Sequence, residues 1–116
     1  GGILSTYKIA SMAANYYASI APHNPLGPIA LASCLQIDTC IPNFTAQENI
    51  RLEDGSDLGA GLFKEPFEIV KGYIQVSEKP GLGFEVDEDT MKEFIYDGKF
   101  TCPVVYYEDD NSLADW

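Results

Sequence analysis

Basic residues are scarce in this chain: seven Lys and Arg stand against eighteen Asp and Glu, a formal net charge of −11. A grip on a nucleic-acid backbone, or on an anionic membrane surface, needs clustered cations that this balance does not supply. Cysteine is also sparse. Cys34, Cys40 and Cys102 form an odd set with no C-x-x-C spacing, which argues against a disulfide framework or a zinc knuckle and for reduced intracellular thiols and a cytoplasmic location. No apolar run reaches membrane-span length, and no charged-then-apolar leader is present. There is one tryptophan and a single histidine, His23.

What remains is an ordinary globular balance, 46% hydrophobic and 22% charged over 116 residues, enough for one modest core. The chain opens on Gly1-Gly2-Ile3 without an initiator Met, and an upstream continuation is expected. Asn43-Phe44-Thr45 matches a glycosylation acceptor but lies in an apolar run, so it is expected to be buried and unmodified.

The pattern over 1–50 alternates. Ser5 is a candidate N-cap, and Ile9, Met12, Ala13 and Tyr16 fall at helical steps, so a helix is expected over 5–15. A short strand is expected over 17–21, stopped by Pro22. An ordered loop follows over 23–28, then a helix over 29–36 with Pro28 in its first turn, then a second strand over 40–44. Beyond Arg51 glycines punctuate shorter apolar runs. Residues 73–76 read as a strand, 79–83 as a turn, and Asp87 or Asp89 as the cap of a helix through Tyr96. The acidic tail reads as irregular, with Tyr106, Tyr107 and Trp116 as packing anchors. Asp87-Glu88-Asp89 and Glu108-Asp109-Asp110 lack the glycine and closing Glu of a calcium loop. Gly81-Leu82-Gly83 is too short for a dinucleotide fingerprint.

Alternation of helix and strand implies parallel strands joined by helical crossovers. Parallel strands are normally covered on both faces and occur in sheets of several members. Two of them leave unpaired backbone at both edges, so the pattern reads as part of a larger α/β sheet or barrel.

His23 directly follows the first expected strand, at the end where parallel α/β proteins project catalytic side chains. Glu48 lies just beyond the second. One strand–helix–strand step takes about that many residues, since eight steps make roughly 250. The two side chains are therefore expected at the same end of adjacent strands about 4.8 Å apart. A histidine exchanges protons near neutral pH, and a carboxyl beside it can orient or polarise a substrate. The plainer reading also stands: a lone loop histidine is ordinarily a surface or capping residue, and Glu48 is one of eighteen acids.

The run Ala21-Pro22-His23-Asn24-Pro25-Leu26-Gly27-Pro28-Ile29-Ala30, with Gln47-Glu48, Gly72-Tyr73, residues 80–87 and residues 108–116, resembles the galactonate dehydratase group. That group lies in the mandelate racemase branch of the enolase superfamily. The resemblance implies the C-terminal part of a modified (β/α)7β TIM barrel: strands 7 and 8 within residues 1–50, and a C-terminal segment over 51–116 packing toward a capping domain. It implies a carbon–oxygen lyase that removes the proton next to a sugar-acid carboxylate and expels water. His23 would be the general base, normally paired with an Asp on the sixth strand. Glu48 would hydrogen-bond to the substrate's carboxylate end. Mg2+ would serve the complete enzyme, held by carboxylates of the third to fifth strands, with none of its ligands in this chain. The expected partner is a small sugar acid, with neither nucleic acid nor membrane, in a homo-oligomer. Without its metal site the chain alone is expected to be inactive. A fragment of a related racemase, or a non-catalytic half-barrel acting as a binding or assembly module, remains the alternative.

Overall fold

The computed structural model describes residues 1–25, 27–50, 59–93, 95, 97–99 and 106–113. Among them the elements in order are α1 (Gly2–Ala14), α2 (Pro28–Asp38), β1 (Ile69–Val70), β2 (Tyr73–Ile74) and α3 (Glu88–Glu93).

Helix α1 starts three residues earlier than the sequence suggests. Gly1 takes the N-cap position with no side-chain cap bond, so Ser5 lies inside the helix. The helix ends at Ala14 with Asn15 as its C-cap, and two residues on Tyr17 turns left-handed at φ 58°, an uncommon conformation for a bulky residue. Ala18 then folds its N–H back onto Ala13 O at 3.1 Å. In α2, Pro28 occupies the first turn, where its missing N–H costs nothing. The preceding Gly27 has φ 97° and ψ −164°, a combination open only to glycine. That conformation lets the chain leave the proline-bracketed loop directly into the helix. Asp87 caps α3 as expected, its Oδ1 accepting the N–H groups of Asp89 and Thr90, each at 3.1 Å.

The two strands expected over 17–21 and 40–44 shrink to one parallel bridge, Ile20 to Phe44. Ile20 N–H donates to Asn43 O at 2.8 Å, and Thr45 N–H donates to Ile20 O at 2.9 Å. The sequence explains why the ladder stops. The next rung would need an N–H from Pro22, which has none. On the other side Ala18 N–H is already committed to α1. Side-chain amides take over instead: Asn43 Nδ2 donates to Ala18 O at 2.8 Å, and Gln47 Nε2 donates to Pro22 O at 3.1 Å. The parallel relationship with α2 as the crossover is thus present, in its shortest form.

Ala10 of α1, Ile37 of α2 and Ile41 form a buried cluster with Ile20 packed against it. Leu31, Ala32 and Leu35 line the buried side of α2. Asn43 is half-buried rather than buried, and Phe44 beside it is exposed. Its amide nitrogen is nonetheless held by two carbonyls, Ala18 O and Ala10 O.

Residues 59–93 follow different rules. β1 and β2 pair antiparallel, Ile69 with Ile74 and Val70 with Tyr73. The two-residue connection Lys71-Gly72 has positive φ at both positions, 51° and 82°, as the tightest hairpin turn requires. Phe63 stacks on Phe84 with ring centroids 5.2 Å apart, and Phe67 tilts against Phe84 at 4.3 Å. The turn expected over 79–83 is closed by Gly83 N–H to Pro80 O at 3.3 Å. Gly83 sits at φ 81°, and a Cβ there would lie 2.5 Å from Ser77 Cβ, so the turn admits no side chain.

In the tail, Tyr106 bridges Leu113. Tyr106 and Tyr107 are both more than half exposed, so they are not the packing anchors expected of them. Residues 51–58, Tyr96, Cys102 and Trp116 lie outside the described residues. Among the described residues no helix is long and apolar enough to cross a membrane.

Candidate functional site

His23 and Glu48 meet. The imidazole Nδ1 lies 2.5 Å from Glu48 Oε2 across a separation of 25 residues. What joins them is the parallel bridge: His23 follows Ile20 and Glu48 follows Phe44, so both chains leave the bridge in the same direction. Prolines on either side stiffen the His23 loop. Pro22 fixes its own φ, and Pro25 biases Asn24 toward extended backbone.

Asn24 adds a contact that the residue types alone do not signal. Its backbone N–H donates to the same Glu48 Oε2 at 2.8 Å, while its side chain is almost fully buried at 2% exposure. Two groups thus converge on one carboxylate oxygen. The Asn24 N–H, and next to it His23, hold the Glu48 carboxyl below its usual range, so it is ionised at neutral pH. The imidazole is open to solvent, 77% exposed against 41% for the Glu48 side chain, so a reacting molecule can reach its outer edge. Gln47 braces the same strand end, with Nε2 bonded to Pro22 O and to Glu48 O.

Asp38, the last residue of α2, is a second unusual carboxylate. Both its oxygens are sealed from solvent, and neither has a hydrogen-bond partner among the described residues. Burial raises its pKa to about 6. Cys34, one turn back on α2, has its thiol pushed up first by burial and then by Asp38. Asp38 borders a groove of about 570 Å³ between the end of α2 and the 69–76 hairpin, which Gln47 and Tyr73 also line. His23 and Glu48 do not line this groove.

Among the described residues no three His, Cys, Asp or Glu side chains stand close enough to hold a metal ion. The donor chemistry agrees: Glu48 Oε2 is already taken by two partners, and Asp38 is sealed. The described residues do not fit a Mg2+ site.

The family model for enolase C-terminal domain-like proteins matches residues 1–90. Among solved structures, one provisionally assigned as a mandelate racemase/muconate lactonizing enzyme from Burkholderia SAR-1 is 43% identical with a TM-score of 0.72, covering 80% of this chain and 23% of that one. A similarly assigned protein from Labrenzia alexandrii DFL-11 is 39% identical with a TM-score of 0.70, covering 80% and 24%. An enolase from Agrobacterium radiobacter, provisionally assigned as a galactarate dehydratase and bound to sodium and L-malate, is 28% identical with a TM-score of 0.73, covering 93% and 30%. The chain therefore spans between a fifth and a third of the length of these relatives.

Proposed function

The chain belongs to the enolase C-terminal domain-like family, and on that premise we propose that it is the C-terminal part of a Mg2+-dependent sugar-acid dehydratase of galactonate type. Residues 1–50 then supply the seventh and eighth strands of the barrel, with Ile20 and Phe44 on them. Residues 51–116 run toward the capping domain of a homo-oligomeric enzyme. The observation that carries this reading is the His23–Glu48 pair, assembled by folding from positions 25 residues apart.

In this reading His23 accepts the proton from the carbon next to the substrate carboxylate. The C–H electron pair moves into the carboxylate, giving an enediolate. Collapse of the enediolate expels the neighbouring hydroxyl, which leaves as water after taking up a proton from an acid outside this chain. Glu48, partly exposed, meets the carboxylate end of the substrate in this reading, and must carry a proton to hydrogen-bond there, since two ionised carboxylates have no hydrogen to share. Mg2+ would be held by residues outside this chain, and no step described here runs through it. The galactarate-dehydratase assignment of the Agrobacterium radiobacter relative supports dehydration over racemisation.

The test is a chimera in which these 116 residues replace the matching segment of the Burkholderia SAR-1 relative. It is assayed for Mg2+-dependent conversion of galactonate to its keto-deoxy acid. Turnover that disappears in His23→Gln is expected. Turnover surviving that substitution would remove His23 from the chemistry. The isolated chain should show none, and measurable turnover by it would contradict the assignment of metal and acid to other residues.

A second reading, an association module, is favoured by one observation. Helix α1 exposes Leu4 at 66%, Ile9 at 60% and Met12 at 66%, and Tyr16 just beyond its end is 83% exposed, an apolar surface of the kind that marks an interface. Sedimentation of the isolated chain as a stable, concentration-independent oligomer without any activity in the chimera would favour it.

A further inference from the structure

We infer that Gly59 is a positioning residue for the His23 loop: lacking a side chain, it lets the 59–62 turn seat directly on the Pro28 ring, at the junction where that loop enters α2. This deepens the dehydratase reading and rests on it only for treating His23 as a base. The imidazole is oriented by its own partners, whereas Gly59 bears on where the backbone beneath it stands.

The two segments meet with no room to spare. A Cβ at Gly59 would lie 2.6 Å from Pro28 Cδ and 3.0 Å from Pro28 Cγ, whereas carbon atoms settle at about 3.5–4.0 Å. Cδ is bonded to the Pro28 backbone nitrogen, so no side-chain rotation can carry it out of the way. Gly59 also holds φ 76°, which strains any residue with a side chain. The Pro28 nitrogen is joined to Gly27, whose φ of 97° and ψ of −164° turn the chain from the loop into the helix. A push on Cδ therefore falls on the joint itself, and His23 stands at the other end of the same loop.

Both sides of this contact are braced. Leu62 N–H donates to Gly59 O at 3.1 Å, and Asp87 N–H donates to Leu62 O at 2.8 Å, which ties the turn to the segment after Phe84. Buried Phe63 lines, with Phe67 and Pro28, a cavity of only about 50 Å³. On the other side α2 is seated by its buried Leu31 and Ala32. The loop between them is the softer part. Its start is held by the Ile20–Phe44 bridge, and its middle by the Asn24 N–H on Glu48 Oε2. Bulk added at residue 59 is relieved by shifting the loop, and the Asn24–Glu48 contact reports that shift. Phe84 packs on Phe63 and Phe67, one layer back, so its loss reaches the loop less directly than bulk at residue 59.

His23 is the only histidine, so its ring signals and the Asn24 amide report the loop in NMR spectra of the 15N-labelled chain. Gly59→Ala is expected to shift both and to speed hydrogen exchange of the Asn24 amide. Two other glycines serve as controls. Gly81→Ala carries the same left-handed strain at φ 71° with nothing within 4 Å, and Gly83→Ala makes an equal clash, 2.5 Å from Ser77 Cβ, against Ser77 rather than Pro28. Neither should move the two reporters. Pro28→Ala removes Cγ and Cδ, so adding Gly59→Ala to it should leave the reporters where Pro28→Ala alone puts them. In the Burkholderia chimera, Gly59→Ala should lower kcat by about 10²-fold with KM little changed. Unmoved reporters in Gly59→Ala, equal movement in Gly83→Ala, or a further shift on the Pro28→Ala background would overturn the inference. If Gly59→Ala alone unfolds the chain, a folded double variant supports the contact and an unfolded one overturns it. A chimera without turnover would count against the proposed reaction, while the spectra still decide the role of Gly59.

Discussion

Residues 1–50 are organised by a parallel contact with a helix crossing between its partners, whereas residues 59–93 are organised by an antiparallel hairpin and packed phenylalanines. The first region has a buried aliphatic cluster of Ala10, Ile37 and Ile41, and its polar contacts reach across long stretches of sequence. The ion pairs of the second join exposed partners, Lys64 with Glu85 and Lys79 with Glu65. Chemistry follows the first arrangement. A parallel bridge sends two chain segments out in the same direction, so side chains far apart in sequence converge at one end. The 69–74 hairpin joins near neighbours, and the longer polar contact of its region, Lys64 with Glu85, lies in solvent. The His23–Glu48 pair is a product of that topology.

If this contrast is right, perturbing the aliphatic cluster should cost most and should reach the site. Ile37→Ala, which empties a side chain 4% exposed, is expected to destabilise by about 3 kcal/mol. It should also blur the His23 ring signals, read by urea unfolding and by NMR together. Equal disturbance of His23 by Phe84→Ala, in the phenylalanine cluster, would break the contrast. Next in size is Asn43→Ala. It removes the amide that bridges Ala10 O and Ala18 O, and a loss of about 1–2 kcal/mol is expected. A loss no larger than that of a surface substitution would mean the side-chain rung contributes little.

Asp38 sharpens the comparison in the opposite direction. Its pKa of about 6, against an ordinary value of 3.8, means the folded state binds the proton more tightly than the unfolded chain. Stability from this group is full below pH 3.8, declines as pH rises to about 6, and stays reduced above it. Asp38→Asn should flatten that slope and raise stability at pH 7 by about 1 kcal/mol, a figure reduced for the partial exposure of the residue. A variant less stable than wild type at pH 7 would show that the carboxylate has a cationic partner. The smallest effect belongs to the second region. Lys79→Ala breaks the 2.5 Å contact with Glu65, and since both ends are in solvent no change in the unfolding midpoint is expected. A clear drop would mean the 59–93 surface pairs matter more than this account allows.

The sequence was informative where a contact follows from spacing. His23 and Glu48 were placed together because a strand–helix–strand step has a typical length, and the helix boundaries at Pro28 and Asp87 followed from capping chemistry. It was uninformative where one atom type substitutes for another. Nothing in Pro22 or Ala18 says that Gln47 and Asn43 amides will complete the rungs that backbone cannot. The contact of Asn24 N–H is equally silent, because every non-proline residue carries that group. β1 carries no such signal, because Lys71-Gly72 is not the Asn-Gly pair that usually marks a two-residue hairpin. The early start of α1 is equally silent, because Gly1 caps with no side chain to betray it.

The central proposal is that His23, in contact with Glu48, takes the proton next to a sugar-acid carboxylate. The most direct measurement is exchange of that proton with D2O in the Burkholderia chimera, followed by NMR of recovered galactonate and product. Deuterium should enter at that carbon with the native residues and stop entering in His23→Gln. Exchange at an undiminished rate without the imidazole would contradict the account.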